Sequence, residues 1–255
     1  MIKDRYYSVE CSVPGCTRKV RRDRRRRFVR SALCNKHQSH RYRHGHPTKK
    51  RLKVKEELLP FRRRVELLLR QGDEEMLGAL SAFRWALVPI FGHYGKRPRY
   101  IRSTHDYGLK ACMRNVAWAV TESMLEQCYD FEQAFSDVMG IAAICHNRPH
   151  RFGDSTEFYH AELGRVVWRA SDCQARYLEL PRFGWGDRCN SGEPAKVDPI
   201  PLRARTHVGK QLAEALLWKP ELRKTALSLA EWDKHRRHLQ HEREHLRDNN
   251  HQEIS

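Results

Sequence analysis

From residue 51 onward, apolar side chains recur at spacings of three and four along most of the chain, the period of an amphipathic helix. Leu52, Leu58, Leu59, Val65, Leu68 and Leu69 stand among arginines and lysines over 51–71, and Pro60 marks a helix start, so this stretch reads as a basic connector helix. Asp73 to Val88 follows, with Met76, Leu77, Leu80, Phe83 and Leu87 in register and a stop expected before Pro89; a Gly/Pro loop is expected over 91–100. Ser103 with Asp106 offers a cap for a helix carrying Leu109, Cys112, Met113, Val116, Val120 and Leu125. Asp130 with Gln133 repeats the capping pattern ahead of Phe131, Phe135, Val138, Met139 and Ala142, and the two segments together predict a helical hairpin.

After a loop at 146–154, Phe158, Tyr159, Leu163, Val166, Val167, Ala170 and Tyr177 predict a further helix from Ser155 to Leu180. Residues 181–205 are rich in proline and glycine and read as an irregular excursion. Thr206–Trp218 and Pro220–Leu246 close the pattern as two helices, with a frayed end beyond. The fold class is therefore mainly α: a small module over 1–50, the connector over 51–71, and a helical domain over 72–255 interrupted at 181–205.

Charge changes the picture of the first quarter. Residues 1–70 hold 23 Lys+Arg against 6 Asp+Glu, a net +17, whereas residues 71–255 are nearly neutral at +1. Such asymmetry is the footprint of a polyanion-binding segment joined to a neutral body. An acidic lipid surface fits less well, because the basic segment lacks a large apolar face. No apolar run approaches the roughly 20 residues a bilayer crossing needs. No signal-like stretch opens the sequence either, so the expected location is the cytoplasm, in association with the nucleoid. Eight irregularly spaced cysteines in such a chain favour thiols and thiolate ligands over a disulfide framework.

The basic quarter also contains the clearest chemistry. Cys11, Cys16, Cys34 and His37 are spaced C-x4-C-x17-C-x2-H, two close pairs of soft or borderline donors flanking an excursion. A tetrahedral Zn2+ is held by pairs of this kind, each presented by one tight turn, and four protein ligands close the site as a structural one. Gly15 permits the turn, Cys34 and His37 fit the first turn of a helix, and His40 is an alternative fourth ligand. Arg21, Arg22, Arg24, Arg25, Arg26, Arg27 and Arg30 then fall on the excursion, with Arg41, Tyr42 and Arg43 on the following helix. Such a surface would neutralise several phosphates, giving affinity rather than sequence choice. DNA is the favoured partner, and Tyr42 and Phe28 leave RNA open as stacking platforms.

The residues Gly15, Cys16, Leu33, Cys34, His37, Arg41, Arg43, Gly45 and Pro47 resemble the small zinc modules, of pattern GC…LCxxHxxRxRxxGxP, of phage and bacterial HNH-type homing endonucleases and of DNA-binding proteins of mobile elements. The resemblance spans about residues 9–48 and implies a treble-clef-like knuckle whose helix contacts DNA. The chain departs from that pattern in its long arginine-rich excursion and in the arginine spacing at His40. It also lacks the adjacent Asp-His pair of a nuclease core, so nuclease activity does not carry over.

Weaker signals lie in the body. His146, His150 and His160, with Cys145 and Asn147 nearby, form the one candidate set for a metal-dependent nuclease, but helical flanks are wrong for an HNH site. Cys112, Cys128 and Cys145 occupy apolar helical positions and are expected as packed thiols, and Trp118, Trp168, Tyr177 and Trp232 as core or interface anchors. His235, His238, His241 and His245 read as a solvated stripe. No nucleotide-binding or hydrolase motif is present. The function expected is a DNA-binding regulatory or accessory protein whose helical body binds a protein partner or self-associates; an HNH-like nuclease and an RNA-binding ribonucleoprotein component are the alternatives.

Overall fold

The computed structural model describes residues 6–23, 32–93, 109–153, 155–171 and 202–252. An antiparallel hairpin comes first: β1 (Tyr6–Glu10) pairs with β2 (Lys19–Asp23), Tyr6 opposite Asp23 and Glu10 opposite Lys19. Eight helices follow among the described residues: α1 (Asn35–His44), α2 (Leu59–Arg70), α3 (Glu74–Gly92), α4 (Leu109–Leu125), α5 (Phe131–Asn147), α6 (Thr156–Arg169), α7 (Leu202–Trp218) and α8 (Pro220–Gln252). A π-helical turn at Val54–Leu58 leads into α2, and a 3-10 turn at Pro149–Arg151 joins α5 to α6. The fold is mainly α, as the periodicity predicts, while the hairpin in the first 50 residues was not expected.

Local signals set several helix starts. The Asp73 carboxylate accepts from the Met76 N–H at 2.8 Å, Asp130 from Gln133 N–H at 2.8 Å, and the Ser155 hydroxyl from Phe158 N–H at 3.2 Å. Each such cap is worth about 1 kcal/mol. The predicted cap at Ser103 and Asp106, the loop beyond His93 and most of the 181–205 excursion lie outside the described residues.

Tertiary packing moves the other boundaries. α3 continues through Pro89 to Gly92, because burying Ile90 and Phe91 offsets the hydrogen bond that proline removes, and the lost bond lies toward the exposed Trp85. α6 ends at Arg169 rather than Leu180, for Ser171 forms an antiparallel bridge with Tyr129 and the Asp130 N–H donates to the Ala170 carbonyl at 3.0 Å. α7 begins at Leu202, inside the expected excursion, since Ala204 and Arg205 are buried. α8 runs on to Gln252, with the side chains of His238–Glu244 exposed. α4 packs on α3 and α7.

α5 is the centre of the body, with every residue from Ala134 to Ile141 buried, and it touches α2, α6 and α8. A helix apolar nearly all round belongs in such a place. Phe61 of α2 packs on Gly140, where an added Cβ would sit 3.1 Å from the ring. Trp168 is fully buried, Trp232 meets Phe61 edge-on at 5.7 Å, and Trp118 is packed against the same core. Tyr177 lies outside the described residues. Of the thiols expected to be packed, Cys145 is half-buried, and burial pushes its thiol up. Cys128 is exposed instead: it falls past the end of α4, where its Sγ donates to the Glu126 carbonyl at 3.4 Å. No described helix is long and apolar enough to cross a membrane.

Several buried charged groups among the described residues are held in ion pairs. Arg62 makes a bidentate pair with Asp137, both bonds 2.7 Å, and Arg165 pairs with Glu162 at 2.6 Å with both side chains inside. Asp233 of α8 is fully buried and draws in Arg236 at 2.7 Å, Arg237 at 3.0 Å and Arg148 at 3.9 Å. Removing this carboxylate strands three cations, so Asp233→Ala is expected to destabilise the protein by about 3–5 kcal/mol, read from the urea midpoint.

Candidate metal centre

The turn between β1 and β2 carries the first two ligands. The Cys11 N–H donates to the Arg18 carbonyl at 3.0 Å and the Cys16 N–H to the Val13 carbonyl at 3.1 Å, which folds Val13-Pro14-Gly15-Cys16 into a β-turn. Proline sets the first corner, and Gly15 takes the second at φ +75°, where a side chain would be strained. Cys11 and Cys16 are thereby presented from one knuckle.

The second pair arrives on α1. The Ser12 N–H donates to the Ala32 carbonyl at 2.6 Å, bringing the returning chain beside the knuckle. Cys34 is the N-cap residue of α1, in extended conformation, and His37 lies in the first turn. The ligand atoms of Cys11, Cys16, Cys34 and His37 all fall within 4.8 Å of one another, with Cys11 and Cys34 buried. His37 Nδ1 lies 3.3 Å from the Cys11 sulfur and 3.5 Å from the Cys34 sulfur; the Cys16 and Cys34 sulfurs are 4.0 Å apart. Metal–sulfur bonds of about 2.3 Å and metal–nitrogen bonds of about 2.05 Å at tetrahedral angles give edges of roughly 3.8 Å for S···S and 3.6 Å for S···N. The three closest pairs match those edges to within about 0.5 Å, so the four residues can surround a metal ion after adjustments of no more than about 1 Å.

Compared with protein families, characterised proteins and solved structures, the chain matches none. The site is therefore read from its own residues.

The donors are prepared unequally. Burial acts to raise the Cys11 thiol, but hydrogen bonds from the Cys34 and Val13 backbone, with His37 and Cys16 alongside, bring it down to about 6. Cys11 therefore supplies a ready thiolate near neutrality. Cys16 stands above the usual thiol range: the Arg18 backbone lowers it, while burial and sharing protons with Cys11 and Cys34 outweigh that. A cation at the centre would remove this competition, because it favours every sulfur as thiolate.

His40, the alternative fourth ligand, points elsewhere. Its Nδ1 pairs with the His46 carbonyl at 2.8 Å and its ring lies 4.3 Å from that of His44. The candidate nuclease residues do not assemble: His146 and His150 are exposed, His160 packs beside Tyr159, and among the described residues the Cys3His set is the one metal-capable cluster. Their flanks are helical, as the periodicity predicts.

The candidate nucleic-acid residues divide three ways. Arg21 and Arg22 lie on β2, opposite Ser8 and Tyr7. Arg24, Arg25, Arg26, Arg27 and Arg30 lie outside the described residues, as does the Tyr42 side chain. Arg43 is exposed on α1, whereas Arg41 turns to the body and pairs with Glu157 at 2.7 Å.

That ion pair belongs to a docking contact the sequence reading missed. α1 has no fully buried described side chain, so it cannot hold itself by a hydrophobic face. Gly45 ends it at φ +83°, its N–H donating to the Arg41 carbonyl at 2.7 Å, and it sits against α6 where an added Cβ would lie 2.9 Å from Ala161 Cβ. The Leu52 N–H then donates to the buried Glu162 carboxylate at 3.1 Å, fixing the connector to the same helix. The glycine followed by Pro47 is a helix-stop signal that the sequence does carry. Gly45→Ala combines a left-handed backbone with a steric contact, and is expected to cost about 2–3 kcal/mol in a thermal melt.

Proposed function

We propose that the Cys11, Cys16, Cys34 and His37 site holds one structural Zn2+ and that the module it organises binds nucleic acid, with duplex DNA as the partner. The observation that carries this reading is the convergence of four soft and borderline donors within 4.8 Å of one another, on a knuckle and a helix start, inside the chain's most basic segment. With four protein ligands no position is left for substrate, so the ion would shape the module rather than catalyse. The metal would fix β2, bearing Arg21 and Arg22, relative to α1, bearing Arg43. The arginines of 24–30 join the hairpin to that helix in sequence, and together these residues would neutralise backbone phosphates. Resemblance to zinc modules of mobile-element DNA-binding proteins supports the same reading.

The helical body would supply a protein contact, consistent with an accessory or regulatory factor. Trp85 and Val88 on α3 and Leu217 and Trp218 at the end of α7 keep 52–83% of their surface exposed. Binding titrations of the full chain against duplex DNA and RNA of equal length, each over a range of salt, test the reading. Tighter, salt-steep binding to duplex DNA is expected; preference for RNA would move the protein to a ribonucleoprotein role, and no binding to either would end the proposal.

A further inference from the structure

The near-neutral charge of the body conceals a local excess beside the module. Arg151, in the 3-10 turn, donates to the Lys50 and Arg51 carbonyls at 3.1 and 3.2 Å and pairs with Glu57 at 2.9 Å. The Lys49 ammonium donates to the His150 carbonyl, and the Arg51 guanidinium to the Arg43 carbonyl. The turn between α5 and α6 is thus seated on the end of the basic module. Arg148 continues from that turn to α8, where it meets Arg236 and Arg237 around the single carboxylate of Asp233.

Three guanidiniums share one carboxylate, so this junction carries about two uncompensated positive charges. Burial and the neighbouring Arg237 both work against the charge on Arg148, whose guanidinium is held below its ordinary range. Even so the side chains reach solvent, Arg148, Arg236 and Arg237 being 22%, 25% and 35% exposed. His150 in the turn and Lys50, whose carbonyl meets Arg151, are exposed. A solvent-reaching excess of positive charge, continuous with a polyanion-binding module, fits backbone phosphates better than it fits a neutral protein face.

We propose that the nucleic-acid surface continues from the zinc module across the turn at Pro149–Arg151 onto α8, where Arg148, Arg236 and Arg237 contact backbone phosphates. Asp233 is then the positioning residue that gathers the three arginines. The inference rests on the nucleic-acid reading above, and it explains why the module is docked on the body rather than left on a free tether.

Full-length Arg237→Gln and His150→Glu test it by the slope of log affinity against log salt on duplex DNA. Arg237→Gln leaves Asp233 two arginine partners, and His150→Glu adds a negative charge without touching an internal contact. Each is expected to weaken binding, and Arg237→Gln to lower the slope by about one unit. Lys219→Gln is the charge-matched control, exposed just before the start of α8 and roughly 20 Å from Asp233 along that helix at 1.5 Å per residue, and should leave the slope unchanged. If wild type binds and neither test variant differs from it, or if Lys219→Gln weakens binding equally, the extended surface is wrong while the module reading stands. Failure of the wild type to bind any nucleic acid would overturn both.

Discussion

Cys34→Ala is expected to release the metal and to disorder the N-terminal module while leaving the helical body folded. Cys34 does two things: its sulfur is one of four donors, and its backbone begins α1 and donates to the Cys11 sulfur at 3.4 Å. Apart from the docking of the C-terminal end of α1 on α6, the module offers little to hold it, since its five-residue strands form an isolated two-stranded sheet and α1 buries no described side chain. Structural zinc in comparably small modules contributes apparent free energies of about 10–16 kcal/mol near neutral pH, far more than such a segment gains from packing. The body has its own core around α5, so far-UV circular dichroism should lose only a small part of its helical signal. Phosphate contacts organised by the module should be lost with it, lowering the salt slope of DNA binding by several units at about 0.9 per phosphate. Treatment of wild type with a chelator should reproduce the variant, whereas a variant that keeps full affinity would separate the metal from nucleic-acid binding.

Gly209→Ala should produce the largest loss of stability in the body. α6 and α7 approach so closely that a Cβ on Gly209 would fall 1.7 Å from the His160 carbonyl oxygen, and one on Gly164 would fall 2.0 Å from the Arg205 carbonyl oxygen. Both obstacles are backbone, so no side-chain rotation relieves them; the helices must separate and surrender the packing of Leu163, Val167 and Val208. A cost of about 4 kcal/mol or more is expected, a fall in melting temperature on the order of 10 °C. Gly78→Ala is the internal contrast, because its Cβ would meet nothing within 4 Å on α3, and it should stabilise by about 0.5–1 kcal/mol.

The helical content was legible because apolar spacing reports which face a helix buries, and the cap at Asp130 is local chemistry. Boundaries set from a distance were not legible. The run to Leu180 stops where Ser171 finds Tyr129, and α7 starts early where Arg205 is covered by α6, neither partner being visible from spacing alone. The four metal-capable residues could be named from sequence because paired donor spacing is itself a geometric constraint. The hairpin beneath them could not, since two strands of only five residues, Tyr-Tyr-Ser-Val-Glu and the basic Lys-Val-Arg-Arg-Asp, lack a clear apolar alternation. Nor could the docking of the module, which depends on Glu157, Ala161 and Glu162 more than 100 residues downstream, or the gathering of three arginines at Asp233.

If a bound metal shapes the basic module into a nucleic-acid surface, native mass spectrometry of the untagged full chain will find one zinc per chain, absent from Cys34→Ala, with DNA affinity lost in the same sample. Wild-type protein carrying no metal, and binding DNA as tightly after chelation as before, would contradict it.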